Sequence, residues 1–283
     1  MEYIKLNNGV EMPQIGYGVF QIDNKDCERC VLDAIEVGYR AIDTAQLYAN
    51  EDAVGRAVAN SGVPRNEIFL TTKVWFTNFG YEKTLASLEE SMRKLQTDYL
   101  DMVLLHWPYN DYFGAWRALE KMYKEGRIRS IGVSNLPPAR FLDLVTFTDV
   151  VPAVNQVMTN VFIQENAMRV FLEPYGTKIT AWSPLTQGQP DFFSNECLKG
   201  IGAKYGKTNA QVALRWLLQR GIVAIPKSTH KERMQENLNV FDFRLTDEDM
   251  QLIATLNRQD TSLTDVNDEK FTAYVFENYK LKD

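Results

Sequence analysis

The 283-residue chain is predicted to fold as an α/β protein, a (β/α)8 TIM barrel with an N-terminal β-hairpin and extra helices and without a Rossmann domain. Three observations carry that expectation. Short β-rich runs alternate with helical patterns eight times between Ile15 and about residue 255. No linker rich in Pro, Gly or Ser divides the chain, so a single domain over residues 1–283 is expected. The dinucleotide fingerprint of a doubly wound sheet is incomplete, since Gly16-Tyr17-Gly18 lacks its third glycine and runs on as strand.

In chain order, Tyr3–Pro13 alternates apolar and polar residues around Asn8-Gly9, a pair suited to a type I′ turn with φ > 0 at both central residues, and so predicts a hairpin. Strands are expected at Ile15–Val19, Arg40–Asp43, Ile68–Lys73, Leu100–His106, Ile128–Ser134, Ala153–Val157, Lys178–Trp182 and Val223–Pro226. Between them, helices are expected near Asp26–Val37, Ala53–Ala59, Tyr81–Leu95, Phe113–Glu125, Pro138–Val145, Glu165–Glu173, Asn209–Gln219 and Lys231–Leu238. Thr208 with Gln211, and Thr246 with Asp249, have capping-box spacing, and the second pair opens an additional helix running through Leu256.

A net charge of −6 and a sequence pI of about 5.2 argue against a nucleic-acid face, because the overall field repels polyanions. Without a signal-like start or an apolar run of roughly 18 residues, a cytoplasmic protein with no membrane partner is expected. Cys27 and Cys30 form a C-x-x-C pair, but they fall in an amphipathic run where i,i+3 neighbours share one helix face. Two histidines and Cys197 are a poor supply of further ligands, so buried helix packing is expected there and no metal site.

In a barrel of this kind the chemistry sits at the carboxyl ends of the strands. The second, third and fourth strand runs stop at Asp43, Lys73 and His106, and Tyr48 follows Asp43 closely. A phenol, an ammonium, a carboxylate and an imidazole at one mouth suggest a proton-transfer site. Lys73 would favour the phenolate of Tyr48 and lower its pKa from about 10, Asp43 would hold Lys73, and His106 would donate to a carbonyl oxygen beside Tyr48. Separate structural roles for these residues, an ion pair, a loop aromatic and a core histidine, are the alternative. A metal-dependent barrel isomerase or lyase would be short of histidine ligands.

The motifs Asp43-Thr-Ala-x-x-Tyr48-x-Asn50-Glu51, Thr72-Lys73-Val-Trp75, Leu105-His106-Trp107-Pro108, Gly132-Val-Ser134-Asn135, Asn155-Gln156, Trp182-Ser183-Pro184-Leu185 and Ile225-Pro226-Lys227-Ser228 stand in order along the chain. With them the chain resembles the aldo-keto reductase family over nearly its whole length. It is most similar to compact microbial and protozoan members of the prostaglandin F synthase and 2,5-diketo-gluconate reductase type. The resemblance implies NADPH-dependent reduction of aldehydes and ketones, a catalytic tetrad of Asp43, Tyr48, Lys73 and His106, and a monomer. It also implies that Ser134, Asn135 and Gln156 bind the nicotinamide carboxamide, that Trp182 stacks on the nicotinamide ring, and that Ser183, Leu185 and Gln187 line the pyrophosphate loop.

Lys227, Ser228 and Arg233 place two cations and a hydroxyl after the last strand, as a 2′-phosphate requires, which favours NADPH over NADH. By the resemblance, Glu236 and Asn237 contact the adenine portion. Phe20, Trp75 and Trp107 match an apolar substrate wall, with Tyr17 and Tyr109 close to two of them in sequence. A permissive mouth for small carbonyl compounds follows. Two departures from the family pattern stand out: Met158-Thr159-Asn160 replaces the usual Glu-x-His-Pro, and the tail Asp268–Asp283 is short, which predicts an open pocket.

Overall fold

Runs such as Phe69–Val74 and Met102–Leu105 bury every residue, which an α/β sheet achieves only when it is covered on both faces. The computed structural model describes residues 1–258 and 265–279. It opens with a hairpin of β1 (Tyr3–Lys5) and β2 (Glu11–Pro13), paired antiparallel with Ile4 opposite Met12. Eight parallel strands follow: β3 (Tyr17–Gly18), β4 (Ala41–Asp43), β5 (Phe69–Val74), β6 (Met102–Leu105), β7 (Ile131–Ser134), β8 (Val154–Met158), β9 (Lys178–Trp182) and β10 (Val223–Ala224). They lie side by side in chain order. The seam between first and last closes through Gly16 N–H to Ala224 O at 2.9 Å, Ala224 N–H to Gln14 O at 3.0 Å and Gly18 N–H to Pro226 O at 3.1 Å. The predicted barrel is therefore present, each strand within the run expected for it or within one residue of its end.

Helices wrap the sheet: α1 (Asn24–Val37), α2 (Glu51–Asn60), α3 (Tyr81–Leu95), α4 (Tyr112–Lys124), α5 (Pro138–Thr146), α6 (Asn166–Leu172), α7 (Pro190–Phe193), α8 (Glu196–Tyr205), α9 (Asn209–Gln219), α10 (Lys231–Leu238), α11 (Asp247–Ala254) and α12 (Glu269–Tyr279). Both expected capping boxes form, at Thr208 with Gln211 and at Thr246 with Asp249. Cys27 and Cys30 are fully buried in α1, as helix packing predicts, and belong to the main core.

The structure corrects the hairpin's turn. Asn8 is not left-handed; only Gly9 is, at φ 89°. Leu6 N–H bonds to Val10 O and Gly9 N–H to Leu6 O, the pattern of a three-residue loop with glycine at its left-handed position. Asn8 instead donates to Arg129 O and Ser130 Oγ, and Asn7 donates to Pro152 O. These anchors lie at the amino ends of β7 and β8, so the hairpin closes the barrel floor. Leu6 and Met12 pack there with Ala41, Phe69, Met102, Leu104, Ala153, Val154 and Val223 in a second core.

Three helices were not anticipated individually: α7, α8 and α12. Gly200 and Gly202 disguise α8, because interior glycine weakens helix propensity. Gly202 is required, since a Cβ there would lie 2.3 Å from Lys207 O.

Gly55 marks a close contact between α2 and α3. A Cβ on Gly55 in α2 would lie 2.3 Å from Lys94 O and 2.7 Å from Leu95 Cα, and main chain cannot yield as a side chain can. Gly55→Ala should therefore lower stability by about 1–3 kcal/mol or more, the cost of overpacking, read as a lower urea midpoint.

Candidate active site

The carboxyl ends of neighbouring strands bring the predicted ionisable groups together. Asp43 closes β4, Lys73 is the penultimate residue of β5, and His106 immediately follows β6. Tyr48 sits in a 3-10 turn, Gln46–Tyr48, directly after β4. The Lys73 ammonium is wholly buried, donating to Asp43 Oδ1 at 2.5 Å, Thr44 O at 2.9 Å and the Tyr48 hydroxyl at 3.3 Å. All three ammonium hydrogens thus have acceptors.

Charge and burial compete here. Burial disfavours the Lys73 cation, but the attraction of Asp43 and Tyr48 outweighs it and raises the pKa above the ordinary lysine value. Burial likewise lifts the Tyr48 phenol above the ordinary tyrosine value, with Lys73 pulling downward and losing. The expected lowering of Tyr48 by Lys73 is present as a contribution but does not prevail. At neutral pH the proton stays on Tyr48 and Lys73 stays cationic. Burial, followed by the repulsion of Lys73, drives His106 well below the usual histidine range, leaving a neutral imidazole. A neutral imidazole still carries one N–H able to donate to an oxygen.

The rings agree with this arrangement. Tyr48 and His106 lie 5.7 Å apart edge to face, and Trp75 packs edge-on against His106 at 5.1 Å. Phe20, exposed at the surface to 40%, packs 4.9 Å from Tyr48.

A second set of strand ends extends the network. Gln156 on β8 donates to Asp43 Oδ2 at 3.0 Å, while Ser134 at the end of β7 donates to Gln156 O at 2.8 Å. Asn135 adopts a left-handed φ of 55°, aiming its amide nitrogen at His106 O, 3.3 Å away, and accepting from Trp182 Nε1 at 3.0 Å. A non-glycine residue in that conformation is strained, and strain of this kind gathers at functional sites. After Trp182, residues Ser183, Thr186 and Gln187 are also left-handed, and the buried Thr186 Oγ1 finds no partner among the described residues. His106 Nδ1 is likewise buried and unpartnered.

The remaining predicted positions differ in how fully they are engaged. Lys227 and Arg233 are exposed and make no ion pair among the described residues, whereas neighbouring Lys231 is held by Glu36 at 2.7 Å. Ser228 is buried, and its hydroxyl accepts from His230 N–H. Glu236 accepts from Thr208 Oγ1 at 2.7 Å, and Asn237 lies buried on α10. Leu185 packs against the main core. Tyr17 does not face the mouth: it packs against Tyr39 and donates to Ser228 O.

The two departures acquire roles. Asn160 accepts from Phe162 and Ile163 N–H and donates to Ser183 O at 3.3 Å, so the unusual loop braces the end of β9. The short tail does not leave the mouth open. Trp75 Nε1 donates to Tyr279 O at 2.9 Å, Phe271 packs 5.4 Å from Trp107, and Tyr109 exchanges a hydrogen bond with Thr272. Helix α12 thus walls one side of the pocket. Its signal was present in the sequence, since Phe271, Val275 and Tyr279 share one helix face at i, i+4 and i+8.

Set beside known proteins, residues 9–258 match the model of the Aldo/keto reductase family. Glyoxal reductase of Bacillus subtilis is 48% identical, over 91% of this chain and 93% of its own. The 9,11-endoperoxide prostaglandin H2 reductase of Trypanosoma cruzi is 47% identical, over 90% and 91%. A crystal structure of a Gox0644 mutant in complex with NADPH is 40% identical with a TM-score of 0.87, over 92% of this chain and 94% of that one.

The Lys73 cation has Asp43 as its bonded counter-charge. Asp43→Asn keeps the shape and one acceptor but strands the ammonium. Breaking a buried pair from one side should cost about 3–5 kcal/mol, visible as a large drop in the urea midpoint.

Proposed function

This chain belongs to the aldo/keto reductase family, and from that premise we propose that Tyr48 is the general acid in the NADPH-dependent reduction of small aldehydes and ketones to alcohols. As a family member it is an NADP(H)-dependent oxidoreductase. The observation that carries the acid assignment is the contact of the Tyr48 hydroxyl with the Lys73 ammonium, itself fastened to Asp43.

The residues fit the cofactor. Among the described residues, Thr186 Oγ1 has no partner in the loop after β9, and Lys227 and Arg233, which follow β10, make no ion pair. Lys227, Ser228 and Arg233 would hold the 2′-phosphate, with Glu236 and Asn237 near the adenine. Ser183, Leu185 and Gln187 would line the pyrophosphate. Ser134, Asn135 and Gln156 would orient the carboxamide, each already tied to the network, and Trp182 would offer a flat apolar ring to the nicotinamide. When bound, NADPH supplies a hydride to the carbonyl carbon.

The chain's own task is the oxygen. Tyr48 O–H and neutral His106 N–H would converge on the carbonyl oxygen, polarise it, and meet the charge that develops there. Tyr48 then gives its proton to the alkoxide, and Lys73 stabilises the phenolate left behind. Phe20, Trp75 and Trp107 form the apolar side of the pocket. The name of the Bacillus relative, glyoxal reductase, supports small 2-oxoaldehydes within a broad substrate range. The family match over residues 9–258 supports the companion reading of a single-domain cytoplasmic monomer.

Tyr48→Phe should keep NADPH binding and lose roughly 10²- to 10⁴-fold in kcat with a simple aldehyde, the usual worth of a positioned acid; a wild-type rate would refute the assignment. The acid must be protonated and burial raises its pKa. The reductive rate should therefore hold through neutral pH and fall on the alkaline side, above the ordinary phenol value of about 10. Arg233→Ala should weaken NADPH binding roughly tenfold or more while sparing NADH, as loss of a charge-assisted bond of about 1.5–3 kcal/mol implies. Fluorescence titration with both cofactors checks this, and equal losses would remove the phosphate assignment.

A further inference from the structure

Tyr48 is held loosely by its own bonds. Its side chain has one hydrogen bond among the described residues, the 3.3 Å contact with Lys73. Its turn is closed by Tyr48 N–H to Ala45 O at 3.0 Å and Ala49 N–H to Gln46 O at 3.3 Å. Ala49 is left-handed at φ 53°, a conformation that a residue with a Cβ adopts reluctantly. Bonds from the turn to its surroundings must keep the phenol against the ammonium.

Gln46 has the geometry to do so. Its Oε1 accepts from Trp75 N–H at 3.0 Å and from Asn78 Nδ2 at 2.9 Å. Its Nε2 donates to Ser87 O at 3.3 Å and Ser91 Oγ at 3.1 Å. One half-buried amide is therefore satisfied in full and joins the Tyr48 turn to the end of β5, the turn Phe76–Asn78 and helix α3. Trp75 is two residues beyond Lys73 on the same run of chain, so the Gln46 to Trp75 bond links the phenol's turn directly to the ammonium's strand. A second strut reinforces it, because Ser91 Oγ also donates to Glu51 Oε2 at 3.4 Å while Glu51 Oε1 accepts from Thr72 at 2.6 Å. On the far side of Tyr48, buried Asn50 accepts from Thr44 Oγ1 and donates to Val19 O and Ile22 O.

We infer that Gln46 is a positioning residue for the reaction: its side-chain amide sets the separation of the Tyr48 hydroxyl from the Lys73 ammonium. The inference rests on the reading of Tyr48 as the proton donor. Without Gln46 the turn relaxes, proton delivery slows, and the cofactor sites on β7 to β10 are untouched.

The test compares Gln46→Leu, which removes every amide bond, with Gln46→Glu, which keeps both acceptor bonds of Oε1. Turnover is expressed per NADPH-binding site, counted by fluorescence titration, so that a smaller folded fraction does not register as slow chemistry. Gln46→Leu should lose about 10²-fold in kcat, the scale of an ångström of misplacement. NADPH affinity should change by less than about twofold and the solvent isotope effect on kcat should rise, since proton transfer becomes more rate-limiting. Gln46→Glu should recover part of the loss. Wild-type kcat per site in Gln46→Leu, or a loss matched by equally weakened NADPH binding, overturns the inference. If Gln46→Leu does not fold, Gln46→Glu alone decides, with a lowered kcat and a raised isotope effect expected and wild-type values overturning it. Tyr48→Phe run in parallel separates the two ideas: wild-type turnover there fails the acid assignment, whereas wild-type turnover in Gln46→Leu beside a slow Tyr48→Phe fails only the positioning role.

Discussion

An ammonium with no access to water organises this molecule's mouth. Lys73 sits on a strand buried along its entire length, and a cation there is tolerable only when each hydrogen has an acceptor and one acceptor is anionic. Asp43, the Thr44 carbonyl and Tyr48 meet that demand, and they come from the neighbouring strand and the loop after it. The demand propagates outward. Asp43 can accept from Lys73 on one oxygen and from Gln156 on the other only if β8 faces β4 across the barrel, so the ion pair and the closure of the sheet require each other.

The same constraint separates labour between the two ends of the barrel. Strand carboxyl ends carry polar side chains that bond across the mouth, while the opposite end is sealed by Leu6 and Met12 of the hairpin against an apolar layer. Left-handed non-glycine residues gather on the polar side, at Ala49, Asn135, Ser183, Thr186 and Gln187. Such conformations persist only where the surroundings over-determine them, and the bonds of Gln46, Asn50, Trp182 and Asn160 supply that support.

Much of this is legible in the sequence alone. The eightfold alternation predicts the barrel because strand and helix periods differ along the chain, and Asp43, Lys73 and His106 could be singled out because each stands at the end of an apolar run. What stayed hidden depends on contacts between distant segments. The amide of Gln46 meets partners 29 to 45 residues away, and nothing local in the sequence reveals them. Helix α8 is masked by two glycines, one of which, Gly202, allows close approach to Lys207. The sign of the Tyr48 pKa change also escaped: a neighbouring lysine can be read from a motif, but the burial that outweighs it comes from the folded surroundings.

Helix α12 is joined to the pocket in a particular way. Trp75 donates its indole hydrogen to the main-chain oxygen of residue 279, and a main-chain oxygen is present whatever amino acid stands there. The latch is therefore indifferent to side-chain identity, while Phe271, Phe276 and the rings around them are free to change shape and polarity. A barrel fastened in this manner can acquire new tastes in its guest molecules by exchanging side chains along one short helix, without undoing the bond that keeps the helix in place.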